Sequence, residues 1–460
     1  MLKNRNIIKK VIRKINHWKM LAYFKYEQTW YHIKCSYYIC TYHLIIRPTL
    51  TILRKCKSTY QYLKLQKYVV LSFKSWCELK TSSYYLLNIN TTVTVHPPNI
   101  VAPDFCDYKL TKVNANLPKV YLAKLQNVSV VEGSDLILAD EKIALYDEIA
   151  NDKERKYETR NNDFTRIKRK NYSGVGLKLK LNQSTQLPQS AIHFCKDYSG
   201  NYFHWMVEAL PRLWIIEQFP ELDSLPLLID DNLKPQQLEV LQLLTQGKRE
   251  LITLQAKQAY PINELIYPSS LSHVHNNYYH PIDYANDIVI SPAAIHYLRD
   301  RLLTTSNRIA NKKIYISRKN VAHNKRLLND DEIEDFMNQQ GFSIVYPEDM
   351  TFREQVDLFS QAKIIIGASG SALTNMIFSP PNAHVFVLSA NNKQVNFNLF
   401  STLANVSGVK LTYILGRDII INHYAQTHNS FIVDTSTIES ALERYYYLNS
   451  CCHASMTSSG

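Results

Sequence analysis

Apolar residues in the second half of the chain fall into short continuous runs separated by stretches of helical spacing. The runs predict strands over 313–317, 342–345, 363–366, 385–388 and 431–433. The stretches between them predict helices over 293–303, 330–340, 351–361 and 437–448. Strands that alternate with helices are typical of a parallel, doubly wound sheet, because a parallel strand pair needs a long crossover connection. We therefore predict an α/β domain over residues 286–450.

The middle of the chain shows the same alternation in a weaker form. Short β-type runs lie at 91–95, 127–131, 136–139 and 143–145, and helical spacing follows over 203–219. A strand at 226–229, a helix at 236–244 and another apolar run at 264–267 complete the pattern. We interpret residues 86–285 as a second α/β domain. Two such domains in series leave a cleft, and ligands bind there at the carboxyl ends of the strands.

The first 85 residues differ from the rest of the chain, and we predict a basic, aromatic-rich helical extension. Apolar residues recur at helical spacing over 5–22, with lysines and arginines between them. Residues 1–80 contain 17 lysines and arginines and only two acids, Glu27 and Glu78. The net positive charge of this segment therefore exceeds the net charge of the whole chain, which is +13. Two interpretations stay open: docking on an anionic bilayer surface, or packing on the body with a solvated basic face. No recognised nucleic-acid module accompanies the segment, so we expect no nucleic acid as partner.

Cysteine usage and the absence of a targeting signal indicate a cytoplasmic protein. The eight cysteines form no Cys-x-x-Cys pair, which favours free thiols in a reducing compartment over a disulfide such as Cys35–Cys40. Lysines and arginines interrupt the first 25 residues, and Arg47 divides the partly apolar stretch 37–53. We expect a cytoplasmic location, with the inner face of the membrane as the surface for peripheral docking. The last ten residues, 451–460, read as a tail.

The stretch AKIIIGASGSALTNMIFS, residues 362–379, predicts a buried strand, a glycine-containing turn and the start of a helix. The chain has only eleven glycines, and Gly367 and Gly370 both lie here. A turn of this kind presents unpaired N–H groups and the positive end of a helix dipole, which together bind anions. We predict a phosphate ligand, the diphosphate of a nucleotide-sugar.

Further polar residues of the same domain suit that ligand. Arg318 directly follows a predicted strand, and Arg326 lies eight residues later, just before a predicted helix cap. The guanidinium fork matches phosphate oxygens, although either arginine alone also fits a surface loop. Ser369 and Ser371 offer hydroxyl donors, and Asn375 offers an amide that caps the helix or contacts the ligand.

Two carboxylates and a histidine complete the candidate residues. Glu354, in the first turn of a predicted helix, either binds a ribose hydroxyl or is simply favourable to the helix dipole. His204 and Glu208 are four residues apart and therefore share one helix face. A carboxylate orients an imidazole and raises its basicity, so this pair is a candidate to deprotonate a hydroxyl acceptor. The alternative is a buried histidine that pins the helix.

Signatures of other enzyme classes are missing from the sequence. It has no P-loop, no nucleophile elbow and no dinucleotide-binding glycine motif, which argues against kinases, hydrolases and dehydrogenases. It also has no Asp-x-Asp, a motif with which many sugar transferases hold a divalent metal. We therefore expect arginines and backbone amides, with no metal or cofactor, to neutralise the diphosphate.

The motifs together resemble the glycosyltransferase 61 family, whose members include bacterial capsular polysaccharide enzymes, plant β-1,2-xylosyltransferases and eukaryotic O-linked N-acetylglucosaminyltransferases. The resemblance covers residues 190–390. It rests on NYFHWMVEALPRL, YISRKN with the arginine and asparagine after it, GF-IVYPEDMTFREQVDLFSQA, and GASGSALTNMIF. The family implies a GT-B architecture of two facing Rossmann-like domains, and inverting transfer without a metal. By this likeness Arg318, Arg326 and the turn 367–375 hold the donor, and His204 faces the acceptor.

Two positions depart from the family pattern. Many relatives carry a histidine where this chain has Ser369, and a glutamate at the end of the next strand where this chain has Val387. We expect an inverting glycosyltransferase, hexosyl or pentosyl, that acts on a glycan or lipid-linked acceptor in capsule or lipopolysaccharide biosynthesis. The departures motivate the alternative of an inactive relative that binds a nucleotide-sugar or glycan as a scaffold.

Overall fold

The computed structural model describes residues 66–102, 108, 110–150, 158–161, 165–168, 175–177, 180–181, 187–255, 258–274, 285–303, 310–319, 326–392, 395–420 and 429–457. The chain divides into two units, Met1–Gln66 and Lys67–Gly460, and the architecture given below is that of the second unit. The helix predicted over 5–22 and the pair Cys35 and Cys40 lie outside the described residues. No helix in the described ranges combines the length and the apolarity that a membrane crossing needs.

The strands are numbered in chain order. They are β1 Gln66–Leu71, β2 Tyr84–Leu87, β3 Thr92–Val95, β4 Asn99–Val101, β5 Val113–Asn116, β6 Val120–Val131, β7 Ile137–Asp140, β8 Ile143–Leu145, β9 Glu158–Asn161, β10 Thr165–Lys168, β11 Val175–Leu177, β12 Lys180–Leu181, β13 Ser190–His193, β14 Leu227–Asp230, β15 Leu251–Leu254, β16 Gln258–Pro268, β17 His273–Val274, β18 Ile288–Val289, β19 Lys312–Ile316, β20 Ser343–Val345, β21 Ala362–Ala368, β22 His384–Ala390, β23 Lys410–Ile420 and β24 Ser430–Ile432.

The α-helices are numbered in the same way. They are α1 Phe73–Lys80, α2 Asp147–Ala150, α3 Tyr202–His204, α4 Arg212–Ile216, α5 Pro235–Thr245, α6 Pro292–Leu302, α7 Asp330–Gln339, α8 Phe352–Phe359, α9 Asn398–Ser407 and α10 Thr435–Thr457. A π-helical turn, Trp205–Ala209, continues α3. Short 3₁₀ helices span Pro220–Leu222, Pro347–Asp349 and Ser371–Phe378.

The first sheet is mixed, and among the described residues it contains thirteen strands. Its main order is β15-β14-β13-β16-β6-β7-β8-β1-β11-β10-β9, with β12 beside β16 and β2 beside β6. The four strands from β15 to β16 are parallel, whereas β6 runs antiparallel to β16. The α-helices α3, α4 and α5 lie on the crossovers that join β13 to β14 and β14 to β15, which is why these strands run parallel.

The second sheet has the parallel arrangement that the alternation of strands and helices predicts. Its order is β20-β19-β21-β22-β23-β24, with β4 beside β23. Every pair from β20 to β23 is parallel, and only β24 turns antiparallel. The α/β class is thus confirmed.

One apolar cluster packs against both sheets. It includes Ile192 on β13, Leu213 on α4, Ile365 on β21 and Val385 on β22, all of them buried. The helices between the sheets therefore share a continuous core. The domain boundaries at residues 285 and 286 stay a prediction.

The structure differs from the predicted elements at both ends of the body. Residues 66–85, assigned to the helical extension, supply β1, which pairs with β8, and the first two residues of β2, which pairs with β6. The last helix continues to Thr457, through most of the predicted tail. Neither α9 nor β23 was predicted, because Asn and Ser interrupt the helix pattern and polar residues interrupt the strand pattern.

Candidate active site

The second sheet has a topological switch point between β19 and β21. After β19 the chain adds β20 on one side, and it then crosses to add β21 on the other side. Loops that leave two neighbouring strands in opposite directions open a crevice, which is the usual ligand position in such sheets. Arg318 follows β19 and Gly370 follows β21, so both lie at this crevice.

Arg318 packs directly on Gly370. A methyl group added to Gly370 would overlap the guanidinium group of Arg318. The backbone of Gly370 is extended, with φ −178°, so close approach rather than backbone conformation requires glycine here. Gly367 has a similar role, because a Cβ there would lie 3.0 Å from Ile316 Cβ on the neighbouring strand. The two glycines thus let β21 and its turn approach β19 and Arg318 closely.

A buried carboxylate fixes the direction of the chain at Arg318. Asp330, at the start of α7, accepts hydrogen bonds from the Arg318 amide at 2.9 Å and the Ser317 hydroxyl at 3.1 Å. The Tyr315 hydroxyl donates to the same carboxylate. Burial lowers the pKa of Arg318, and the charges of Glu348 and Asp330 oppose that effect. Asp330 was missed as a site residue because an acid in a first helical turn also fits the helix dipole.

The helix predicted after the glycine turn is present, and it is a 3₁₀ helix. The Ser369 amide donates to Leu388 O at 2.8 Å, and the Leu373 amide donates to Gly370 O at 3.1 Å. Ser369 and Ser371 are half-buried beside the crevice. Because 3₁₀ hydrogen bonds align less well than those of an α-helix, the positive charge here comes chiefly from Arg318.

Three other predicted donor residues have defined backbone or side-chain partners. Both polar groups of Asn375 bond within the protein: Oδ1 accepts from the Tyr202 hydroxyl at 2.6 Å, and Nδ2 donates to Gln355 Oε1 at 2.7 Å. Glu354 is exposed and closes a capping box with Thr351 at the start of α8.

Arg326 lies beside β24. Its carbonyl accepts a hydrogen bond from the Phe431 amide at 2.8 Å, and Leu327 forms a parallel bridge with Phe431. The structure therefore joins Arg318 to the glycine turn, whereas it fixes the backbone of Arg326 through β24.

Val387 does not end its strand, contrary to our expectation. The strand β22 continues to Ala390, and Val387 is buried in the middle, opposite Gly367 in the register. The last two residues of the strand are Ser389 and Ala390, so the run of large apolar residues ends before the strand does. Val387 therefore belongs to the core, and the residues at the crevice end of β22 are Ser389 and Ala390.

On the first sheet, His204 and Glu208 form the predicted pair. His204 Nδ1 lies 2.6 Å from Glu208 Oε2, and both side chains are buried. The π-helical turn, in which the Leu210 amide donates to Trp205 O at 2.9 Å, was not visible in the sequence. Such turns are frequent at functional sites. With an ionised Glu208, the neutral imidazole carries its proton on Nδ1 and its lone pair on Nε2.

Glu208 is held as a carboxylate by its other partners. Lys196 Nζ lies 3.6 Å from Glu208 Oε1, and the Val274 amide donates to the same oxygen at 3.1 Å. Burial raises the pKa of Glu208, but Lys196 and the hydrogen bond from His204 prevail and lower it below the ordinary value. Glu208 therefore orients and stabilises the imidazole and does not itself carry the proton.

A buried ionic network lies next to this pair. Lys196 Nζ contacts Asp135 Oδ2 at 2.6 Å, and Arg212 pairs with the other Asp135 oxygen. Burial raises the pKa of Asp135, but Arg212 and Lys196 outweigh burial and hold it below the ordinary range. Sequence reasoning missed this network because its members come from the loop between β6 and β7, the loop after β13, and α4, which only the fold brings together.

Comparison with known proteins gives a family match for the middle and later part of the chain. The family model described as glycosyltransferase 61 matches residues 202–386, which include His204, Arg318 and the glycine turn. No curated protein matches the chain.

Proposed function

We propose that this chain, which over residues 202–386 belongs to the glycosyltransferase 61 family, transfers a sugar from a nucleotide-sugar to a hydroxyl acceptor. The observation that carries the proposal is the Arg318 guanidinium packed on Gly370 at the switch point of the second sheet. A fixed cation beside a tight backbone turn suits a diphosphate, because its charge is in place before the reaction begins.

In this proposal the donor diphosphate lies at the carboxyl ends of β19 and β21. Arg318 neutralises its charge, and the hydroxyls of Ser369 and Ser371 donate hydrogen bonds. Arg326 is a second cation for the same group. Glu354 has a structural role in its capping box, and a ribose contact by its carboxylate remains the second hypothesis. No metal takes part.

The proposed reaction is a single displacement that inverts the anomeric carbon. The acceptor hydroxyl attacks that carbon, its proton passes to His204 Nε2, and the nucleoside diphosphate leaves from the opposite face with the bonding electrons. Glu208 stabilises the imidazolium that results, since its carboxylate lies 2.6 Å from Nδ1. Arg318 stabilises the charge that develops on the leaving group.

The arrangement suits a GT-B enzyme in which residues 86–285 form the acceptor side and residues 286–450 form the donor side. The parallel order of the second sheet and the parallel part of the first sheet support this proposal. We propose a glycan or lipid-linked acceptor, in the biosynthesis of a surface polysaccharide. The basic segment 1–80 would then bring the enzyme to an anionic membrane that carries the acceptor.

Two variants test the donor and acceptor roles separately. We expect Arg318→Ala to bind nucleoside diphosphate too weakly to measure by calorimetry and to transfer no sugar, while its melting temperature stays close to wild type. His204→Ala should keep donor binding but lose about 10²–10⁴-fold in kcat, the usual contribution of a general base. The assay uses a panel of UDP- and GDP-sugars in the presence of EDTA.

Matched controls are available on α6. Arg301→Ala removes an exposed arginine paired with Glu217, and His296→Ala removes an exposed histidine. Both controls should behave as wild type. Wild-type turnover by Arg318→Ala contradicts the donor site. A wild-type protein that binds donors but never transfers sugar supports the inactive scaffold in place of the enzyme.

A further inference from the structure

A chain of hydrogen bonds, buried at Asn375, joins the acceptor side to the donor side. Tyr202 begins α3, two residues before His204, and its hydroxyl donates to Asn375 Oδ1 at 2.6 Å. Asn375 Nδ2 donates to Gln355 Oε1 at 2.7 Å, and Asn375 is fully buried. The chain of bonds therefore connects the helix of the candidate base to the 3₁₀ helix that follows the glycine turn.

The far end of this chain reaches the segment 347–350, which contains Glu348. Gln355 Nε2 donates to Pro347 O at 2.8 Å and to Met350 O at 3.3 Å. These two carbonyls lie on either side of Glu348, whose charge acts on Arg318. A shift of Tyr202 relative to Asn375 would thus alter the spacing between the base and the cation that holds the donor.

We infer that Tyr202 and Asn375 are positioning residues, which set the distance between the His204 imidazole and the donor held at Arg318. The inference rests on the proposed function. Transfer requires the acceptor oxygen to approach the anomeric carbon in line with the leaving group, and a misplacement of about 1 Å can cost about a hundredfold in rate. Both amide groups of Asn375 are engaged within the protein, so its role is to hold the two sides in register.

The variant Tyr202→Phe tests this directly, because it removes the hydroxyl and keeps the packing of the ring. We expect kcat to fall about 10- to 100-fold, while the Kd for nucleoside diphosphate stays within about twofold of wild type. Asn375→Ala also breaks the bond to Gln355, so its kcat should fall at least as far as that of Tyr202→Phe. The double variant should have the same kcat as Asn375→Ala alone, because the effects of two substitutions that remove the same hydrogen bond are not additive.

Tyr297→Phe is the control, because it removes a hydroxyl that donates to Glu217 at 2.8 Å and lies outside the chain of bonds. It should keep wild-type kcat. If Tyr202→Phe keeps wild-type kcat, if it weakens donor binding instead, or if the two single effects multiply in the double variant, the inference is overturned. Those results leave the proposed function standing. Absence of transfer by the wild type overturns the proposed function and the inference together.

Discussion

Buried charges beside His204 are arranged so that one carboxyl group keeps its proton. Asp135 is ionised between Arg212 and Lys196. Asp197 lies close to Asp135 and accepts a hydrogen bond from the Tyr146 hydroxyl at 2.9 Å. The Asp135 amide lies 3.5 Å from Asp197 Oδ2. If Asp197 were also ionised, the two carboxylates would repel each other, since the interior screens charge poorly.

The pH dependence of stability should reveal Asp197. Burial, Asp135 and Glu148 raise the pKa of Asp197 to about 8 from its ordinary 3.8, although Lys196 and the Tyr146 hydrogen bond oppose them. Its contribution to stability is fully present below the unfolded value and is lost as pH rises through the folded one. Between the unfolded and the folded pKa, each unit of rise in pH should therefore lower the free energy of unfolding by up to about 1.4 kcal/mol.

Asp197→Asn keeps a neutral side chain of the same shape and should remove that decline. Urea unfolding between pH 5 and 8 measures the decline, and over this range the free energy of unfolding of wild type should fall more steeply with pH than that of the variant. Asp140→Asn is the control, because Asp140 is exposed and should not change the slope. Equal slopes for wild type and Asp197→Asn would contradict a protonated Asp197.

At the scale of elements, two glycines permit close approach for different reasons. A Cβ on Gly370 would overlap the far end of the Arg318 side chain, which can move. A Cβ on Gly416 would overlap the backbone carbonyl of Ile432 on the neighbouring strand β24, which cannot move without breaking the pairing. Gly370 therefore affects the position of Arg318 in the candidate site, whereas Gly416 affects the pairing of strands in the sheet.

The two alanine variants should separate these effects. Gly370→Ala should displace Arg318 and weaken nucleoside diphosphate binding by about tenfold or more, with a small change in stability. Gly416→Ala should lower the free energy of unfolding by about 1–3 kcal/mol, the usual cost of overpacking, and leave donor affinity unchanged in the folded protein. Calorimetry and urea unfolding of both variants give the comparison. The reverse pattern would show that Arg318 does not hold the donor.

At the scale of the whole molecule, the basic segment and the enzymatic body have separable expected roles. The unit boundary falls at Gln66, and β1 begins at the same residue, so a truncation must keep it. A chain that starts at Gln66 should bind nucleoside diphosphate as the full chain does. It should lose binding to vesicles of anionic phospholipid, which cosedimentation measures at low and physiological salt.

The full chain with vesicles of neutral phospholipid is the control. Vesicle binding that survives the truncation would place the membrane contact elsewhere. Salt-dependent binding of DNA or RNA by the segment would contradict our expectation that nucleic acid is not a partner.

Several site residues were predictable because their signal is local. His204 and Glu208 lie four apart on a helical pattern, and their contact follows from helix geometry even though a π-helical turn intervenes. Arg318 directly follows a readable strand, and parallel strands end at one edge of a sheet. The Glu354 capping box also follows from a spacing of three residues.

The remaining site residues were not predictable, because their partners are distant in sequence. Lys196 meets Asp135, and Tyr202 meets Asn375, only after the strands have taken their order in the two sheets. No spacing rule connects such pairs.

By itself the sequence determined the α/β class and the alternation of elements, because burial and helix periodicity act over a few residues at a time. The tertiary structure decided which strands became neighbours, and hence that Arg318 packs on Gly370. It also decided that Val387 is a core residue, since the end of a buried strand depends on its neighbours in the sheet. Local pattern specifies what each segment becomes, whereas packing between distant segments specifies which polar groups meet.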